Sequence, residues 1–580
     1  MLKGLLQALA RRVSPRTGSE NTLAAEQHIA AALQRYQGGD AGAAEALCRA
    51  ALALDPHQAR AWSLLARIAL DHNQLERALE CYAPILAVHP DDPEYLVDAG
   101  ELNRRAGHLS QAVELSERAL ALTPRDGRAW RVRRRALEEL DRLEEALTCL
   151  RHEIELEPGD IVTYSDLLFL LSRSDLLPPR QVAEEYRRWG ELHADRLTQA
   201  VEAHANPPEP ARLLRVGYVS ADFRGHALSY FAEPFLARHD RRAWRIYCYS
   251  SCARPDAVTE RLRGLADEWR EITALSEDAV ARMVRDDRID ILVDLSGHSL
   301  GNRLLLFARK PAPIQMTWLG YMGGTGMAAM DYRITDHYAD PEGEADSEYR
   351  EHLLRLPHSK WCYAPPAVMP ECNALPALRR GYVTFGSFSG FSRVSNATLR
   401  AWALLLRRLP ESRLRVVTAP SGESLDRMLE IFDAAGVAAG RLELLGRLPL
   451  EAFLRQYLEV DVALDPFPMN GATTTCESLC MGVPVISRTG RSSVSRSGAS
   501  VLGNAGLAHL VARSWEEYVD IALQLASDLP ALAALRSTLR QRLRASPLLD
   551  AERFTRDLEA LYRDAWRIWC ARTIAGSKAC

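Results

Sequence analysis

No run of eighteen apolar residues occurs in this 580-residue chain, so no membrane-crossing helix is expected. The first residues, Met1-Leu-Lys-Gly-Leu-Leu-Gln-Ala-Leu-Ala-Arg-Arg-Val13, lack the apolar core and small-residue cleavage site of a secretory signal and read as a frayed terminus, with a short amphipathic helix as the alternative. No G-x-G-x-x-G lies between a strand and a helix pattern and no Walker A sequence is present, which argues against a dehydrogenase or a P-loop NTPase. The eleven cysteines are scattered, and the pairs Cys248/Cys252 and Cys476/Cys480 have no matching His/Cys group to complete a zinc site. The expectation is therefore no zinc site at these pairs, and reduced, mostly structural thiols in a cytoplasmic protein. A charge excess is missing too: a formal net charge of −4, with both signs abundant, gives no pull toward nucleic acid or anionic membrane.

The length calls for about three or four domains. Pro56, Pro90, Pro124 and Pro158 recur every 34 residues, the period of tetratricopeptide repeats. Ala44, Ala78, Ala112 and Ala146 keep the same register, as do Gly39, Asn73, Gly107 and Asp141. A small residue lets two antiparallel helices approach closely, and the turn position needs left-handed backbone. Residues 24–160 are thus predicted to form an α-solenoid of about four repeats, whose groove would take an extended protein or peptide partner. Residues 161–210 read as a helical linker ending in the Pro-rich stretch Ala205–Pro210.

From Leu214 the pattern changes to short β-branched or aromatic runs alternating with helices, first Leu214–Ser220, Arg245–Ser250 and Ile289–Leu295. A second series, after the Pro-rich Ala364–Pro370, includes runs from Tyr382, Leu414, Leu442, Val462 and Val483. Two doubly wound halves are expected, residues 211–375 and 376–580, with ligands at strand C-termini in a cleft between them. Gly320-Tyr-Met-Gly-Gly-Thr-Gly326 is either an ordinary loop or a place where backbone approaches a ligand.

The stretch from Asn470 to Pro484, Asn-Gly-Ala-Thr-Thr-Thr-Cys-Glu-Ser-Leu-Cys-Met-Gly-Val-Pro, follows an apolar run and opens a short helical pattern. Two readings stand side by side. Thr474-x-x-Glu477 fits a capping box. The free N–H groups of a helix's first turn, with its dipole, also make an anion site to which Thr hydroxyls add hydrogen bonds.

With the repeats in front and Thr473–Pro484 behind, the chain resembles the protein O-GlcNAc transferase family, particularly its SPINDLY-like branch. Further shared segments are Arg215–His226, Asp290–His298, Arg309–Tyr321, Met330–Asp336 and Val383–Phe388. The resemblance implies a GT-B fold, a nucleotide-sugar donor bound mainly by the C-terminal half, and metal-independent, inverting transfer to Ser or Thr hydroxyls of proteins. It places His226 at the active site beside the acceptor hydroxyl, where an imidazole can relay a proton; the alternative is a loop His capping a helix. It puts His298 and Ser299 in or behind the cleft wall, Thr473, Thr474 and Thr475 at the donor pyrophosphate, and Glu477 on the ribose, with Arg496 retained nearby.

The chain departs from the family pattern at several of these places. Where relatives have a Lys on the leaving diphosphate, the segment Phe388-Ser-Gly-Phe-Ser-Arg393 carries Arg393, a cation that grips phosphate in a different geometry. A usual His is Phe453, able to stack on a base but not to hydrogen-bond it. Another is Ser493, and Ala472 stands where relatives carry His or Thr. Either the site is retuned for another nucleotide or sugar, or catalysis is weakened and the chain is a binding scaffold. Because Arg393 and Thr473–Thr475 still offer the cation and helix N-terminus that a departing diphosphate needs, an active transferase is favoured. UDP-GlcNAc is the expected donor, and GDP-fucose the alternative.

Overall fold

The computed structural model describes residues 20–199 and 203–579; Met1–Val13 lies outside them. Among the described residues two compact units emerge: those up to Pro158 together with Ser421–Arg427, and those from Gly159 to Pro420 together with those from Met428 onward.

The first unit is four helical hairpins, α1 (Glu20–Gln37) with α2 (Ala41–Leu54), α3 (Ala59–Asp71) with α4 (Leu75–Val88), α5 (Pro93–Ala106) with α6 (Leu109–Leu122), and α7 (Gly127–Glu139) with α8 (Leu143–Leu156). The predicted small-residue positions Ala44, Ala78, Ala112 and Ala146 are each 0% exposed, so any larger side chain there would push two helices apart. The predicted turn residues Gly39, Asn73, Gly107 and Asp141 all have φ between 59° and 87°, the left-handed region that ends each first helix. Asp92 and Asp126 cap α5 and α7 by accepting N–H bonds from the first turn.

Helix α6 lacks such a cap, since His108 makes no side-chain cap bond. Its first turn is closed instead by Glu423, whose carboxylate accepts the Ser110 N–H at 2.9 Å and the Ser110 hydroxyl at 2.5 Å. Ser424 donates to the carbonyl of Glu139 and Arg427 to that of Leu140, each at 2.9 Å, so the same segment also satisfies the C-terminus of α7.

The second unit opens on α9 (Ile161–Ser172) and α10 (Pro179–Trp189). Helices α5, α7 and α9 begin at 93, 127 and 161, and Asp160 caps α9 as Asp126 caps α7, so the 34-residue register runs on into the segment expected to be a linker. Beyond it lie two wholly parallel sheets. The first runs from edge to edge as β3 (Glu268–Glu271), β2 (Trp244–Ser250), β1 (Leu214–Ser220), β4 (Ile291–Asp294), β5 (Ile314–Thr317), β6 (Tyr332–Asp336) and β7 (His352–Leu356), and the second as β10 (Leu442–Leu445), β9 (Arg413–Val417), β8 (Thr384–Ser387), β11 (Val462–Leu464), β12 (Val485–Arg488) and β13 (Val511–Ala512). Their central strands are β1 and β4 in one, β8 and β11 in the other. The order reverses between each of these pairs, and such switch points open crevices at the strands' C-terminal ends. These are the two Rossmann-like halves expected of a GT-B fold.

The two central pairs are tied alike. Asp290 precedes β4 and accepts the Arg215 N–H of β1 at 2.8 Å; Asp461 precedes β11 and accepts the Thr384 N–H of β8 at 2.8 Å. The last helix, Ala551–Ala579, follows the second sheet in sequence but packs on the first, with Phe554 stacked on Trp318 and Glu559 accepting from His239 Nδ1 at 3.0 Å. Among the described residues no single helix is long and apolar enough to cross a membrane, and the bent pair Trp515–Ser527 and Leu529–Arg544 turns Tyr518, Val519, Leu532 and Leu539 into the core.

Candidate active site

At the switch point of the second sheet, the chain leaving β8 brings in Arg393 and the chain leaving β11 leads to the helix Thr473–Cys480. The N-cap of that helix is Ala472, with no side-chain cap, so Thr474 and Glu477 do not form the capping box that their spacing allows. The first amide with an intrahelical acceptor is that of Cys476, bonded to the Ala472 carbonyl at 3.0 Å. The N–H groups of Thr473, Thr474 and Thr475 have no acceptor among the described residues and are grouped at the positive end of the helix. Arg393 Nη1 donates to the Asn470 carbonyl at 3.2 Å, which sets the guanidinium beside the same loop. Asn470 itself is buried, and its Oδ1 has no hydrogen-bond partner among the described residues.

The loop is held from beneath by Asp465, fully buried at the end of β11. It accepts the Gly471 N–H at 2.7 Å and the Ser487 hydroxyl at 2.6 Å. Burial pushes its carboxyl up to about 7, against the pull of the Arg393 charge. A Cβ at Gly471 would lie 2.3 Å from Thr474 Oγ1, so any other residue there would displace that hydroxyl. The hydroxyl of Thr475 turns back to the Gly471 carbonyl at 2.9 Å, while that of Thr474 faces Ser389 Oγ at 3.4 Å. Of the three hydroxyls, that of Thr475 is thus spent on the loop itself. The first sheet uses the same device: Asp294, buried at the end of β4, accepts the N–H groups of Ser296 and Gly297 at 3.0 and 2.9 Å. Asp465 and Asp294 were not among the expected site residues. The signal for both is the matching pentapeptides Asp290-Ile-Leu-Val-Asp294 and Asp461-Val-Ala-Leu-Asp465.

Glu477, expected on the ribose, is buried and takes the Tyr457 hydroxyl at 3.3 Å; burial raises its carboxyl to about 8. Tyr457 stacks on Phe388 at 3.6 Å, and Phe453 meets both rings edge-on at 5.8 and 5.9 Å. Phe453 therefore joins an aromatic wall in place of the hydrogen-bonding His of relatives.

His226 and His298 lie at the switch point of the first sheet, with different surroundings. His226 is 43% exposed, and its Nδ1 accepts the Leu228 N–H at 3.3 Å. That bond leaves Nε2 carrying the proton, so in this tautomer the ring offers a donor toward solvent, and the proton relay expected of it requires Nδ1 to give up the Leu228 bond. His298 is buried. Its Nε2–H donates to the Thr325 carbonyl at 3.0 Å, and its Nδ1 accepts from Ser165 of α9 at 3.1 Å. Trp189 of α10 lies edge-on to it at 4.6 Å, and burial depresses its pKa to about 4. His298 thus anchors α9 and α10 and does not face the cleft. Ser299 donates to the Ser296 carbonyl at 2.7 Å within the turn after β4. The glycine-rich loop has the same explanation as His298: Gly326, at φ +76°, would put a Cβ 1.9 Å from the Tyr186 carbonyl of α10.

Arg496 and Ser493 bridge the two halves. Arg496 donates to the Gly490 carbonyl at 2.9 Å and pairs with Glu344 at 3.2 Å. Ser493 Oγ donates to Asp340 at 3.1 Å and accepts from Lys360 Nζ at 3.0 Å and Arg333 Nη2 at 3.2 Å. Lys360 is buried there, which pulls its ammonium down to about 8. Between the halves and the α9–α10 hairpin lies a cavity of about 420 Å³, lined among others by Asp175, Glu348, Tyr349, Arg488 and Arg491.

The profile of glycosyl transferase family 41 matches residues 192–364 and 366–558, and a tetratricopeptide-repeat profile matches residues 35–96. A Solanum lycopersicum protein named probable UDP-N-acetylglucosamine--peptide N-acetylglucosaminyltransferase SPINDLY is 42% identical over 395 residues, 67% of this chain and 42% of its own length. The similarly named SEC of Arabidopsis thaliana is 30% identical over 372 residues, 62% of this chain and 38% of its own. The chain spans about two fifths of the length of these curated relatives. A solved mutant of Thermobaculum terrenum O-GlcNAc transferase is 36% identical with a TM-score of 0.75, over 96% of this chain and 100% of that one. With both switch points inside the matched segments, the chain belongs to glycosyl transferase family 41.

Proposed function

We propose that the protein is an inverting O-glycosyltransferase that moves a sugar, in the first instance GlcNAc from UDP-GlcNAc, to Ser or Thr hydroxyls of polypeptides held by the repeats. One observation carries this reading: Arg393 and the free N–H groups of Thr473–Thr475 meet in one loop system at a switch point. In the transfer, the acceptor oxygen forms a bond to the anomeric carbon while the bond from that carbon to the diphosphate breaks. The charge left on the diphosphate is met by the guanidinium and the helix N-terminus. In the tautomer described, His226 holds an oxygen of the reactants through Nε2–H, and the acceptor proton leaves by way of the diphosphate or solvent. No metal or cofactor enters the reading. The names of the relatives in tomato, Arabidopsis and Thermobaculum support the donor proposed.

A second donor, GDP-fucose, is supported by the aromatic wall of Phe388, Phe453 and Tyr457, in which Phe453 stands where the resemblance leads one to expect a hydrogen-bonding His. A panel of UDP-GlcNAc and GDP-fucose with mass detection of a Ser/Thr peptide decides between them. Arg393→Ala is expected to lower transfer by about a hundredfold, the scale of losing one charge-stabilising group. Transfer that is undiminished in this variant would remove Arg393 from the leaving-group role. A chain that binds neither donor by calorimetry would instead be a partner-binding scaffold.

A further inference from the structure

The first helices of three successive hairpins, α3, α5 and α7, line a cavity of about 530 Å³ inside the repeat unit. Its floor includes Leu70, Val97, Leu102 and Val132. On α7, Arg128, Arg131 and Arg135 follow the spacing that keeps side chains on one helix face. Arg67 and Arg105 stand on the facing helices, giving five guanidiniums against Glu94, Asp98 and Glu101.

The carboxylates in this cavity are already matched. Asp98 is paired by Arg128 and also accepts the Tyr82 hydroxyl at 3.3 Å. Glu101 is gripped by Arg104 through two bonds, at 2.9 and 2.8 Å, and Glu94 is engaged as well. Among the guanidiniums, Arg67 reaches Asp71 at 3.5 Å and Arg131 reaches Glu153 at 3.6 Å. Arg105 and Arg135 have no carboxylate partner among the described residues, and Arg105 is exposed. A groove with an apolar floor and two unmatched planar cations is complementary to a chain that alternates aliphatic and acidic side chains.

We infer that this groove binds an extended acidic polypeptide segment, with Arg105 and Arg135 each taking a carboxylate and the floor taking the side chains between. Tyr82 is the groove's aromatic residue and its hydroxyl is tied to Asp98, so the site lacks the stacking platforms by which single-stranded nucleic acid is held. The inference rests on the reading of the repeats as the polypeptide-binding element, and it is independent of the sugar chemistry.

The test is fluorescence anisotropy on the full chain without nucleotide sugar, using a labelled peptide alternating Glu with Leu, its Gln counterpart, and an oligouridylate competitor. The Glu peptide is expected to bind about tenfold more tightly than the Gln peptide, and the Arg105→Glu/Arg135→Glu double variant to erase that difference. Equal binding of the two peptides, an unchanged preference in the double variant, or displacement by oligouridylate at lower concentration than by unlabelled Glu peptide would each overturn it. Neither guanidinium has an internal carboxylate partner, so the variants are expected to keep the wild-type circular dichroism; Arg105→Gln/Arg135→Gln, which should lose the preference without adding negative charge, guards against misfolding. A negative result leaves the transferase reading standing, and a chain inert toward every donor leaves this binding measurement unaffected.

Discussion

Asp465 sits where a residue's own chemistry and its support role meet. Its ordinary carboxyl value of 3.8 is pushed up to about 7 by burial, so the folded protein holds that proton more tightly than the unfolded chain does. The associated stability is full below about 3.8 and is lost as pH rises through about 7. Asp465→Asn keeps an acceptor for the Gly471 N–H and offers an NH2 to Ser487 Oγ, while removing the charge. Between these two pH values the variant should lose stability with rising pH less steeply than the wild type, by at most about 1.4 kcal/mol per pH unit. Urea midpoints measured at a series of pH values check this, and equal steepness in the two proteins would show that Asp465 is not the titrating group. The importance of Asp465 was readable in the repeated pentapeptide, but the fate of His298 was not. Its partners Ser165 and Thr325 lie 133 residues before it and 27 after it, and no local pattern announces a pairing at that separation.

At the scale of elements, the repeats were the most legible part, because a period of 34 constrains every hairpin at once and the alanine and turn positions test it independently. The short helix Thr473–Cys480 was the least legible. Its spacing fits a capping box, yet Gly471 and Asp465 set the loop so that Ala472 becomes the N-cap and the amides stay open. The cap of α6 shows the same limit, since Glu423 lies 313 residues beyond Ser110. Glu423→Ala should expose the first turn of α6 and cost about 1 kcal/mol, the usual loss for a helix cap. Hydrogen exchange at the Ser110 amide reads it directly; unchanged protection would mean that the carboxylate does not cap the helix in solution.

For the molecule as a whole, the two α/β halves followed from the alternating strand and helix patterns, whereas the strand orders that set the switch points and the seam between the halves did not. Ser493 reads in sequence as a lost His. In the structure it is the acceptor for Lys360 Nζ, deep between the halves. Ser493→Ala should leave that ammonium without its acceptor and cost about 1–3 kcal/mol. Thermal unfolding of the variant checks this: an unchanged midpoint would rule the account out. One further consequence concerns synthesis. At a ribosomal rate of roughly 5–20 residues per second, the carboxylate that closes α6 emerges about half a minute or so after the helix it serves. Over that interval the nascent repeats must hold their hairpin unaided or be held by a chaperone, and the array reaches its finished hydrogen bonding only once synthesis has passed Glu423 in the second α/β half.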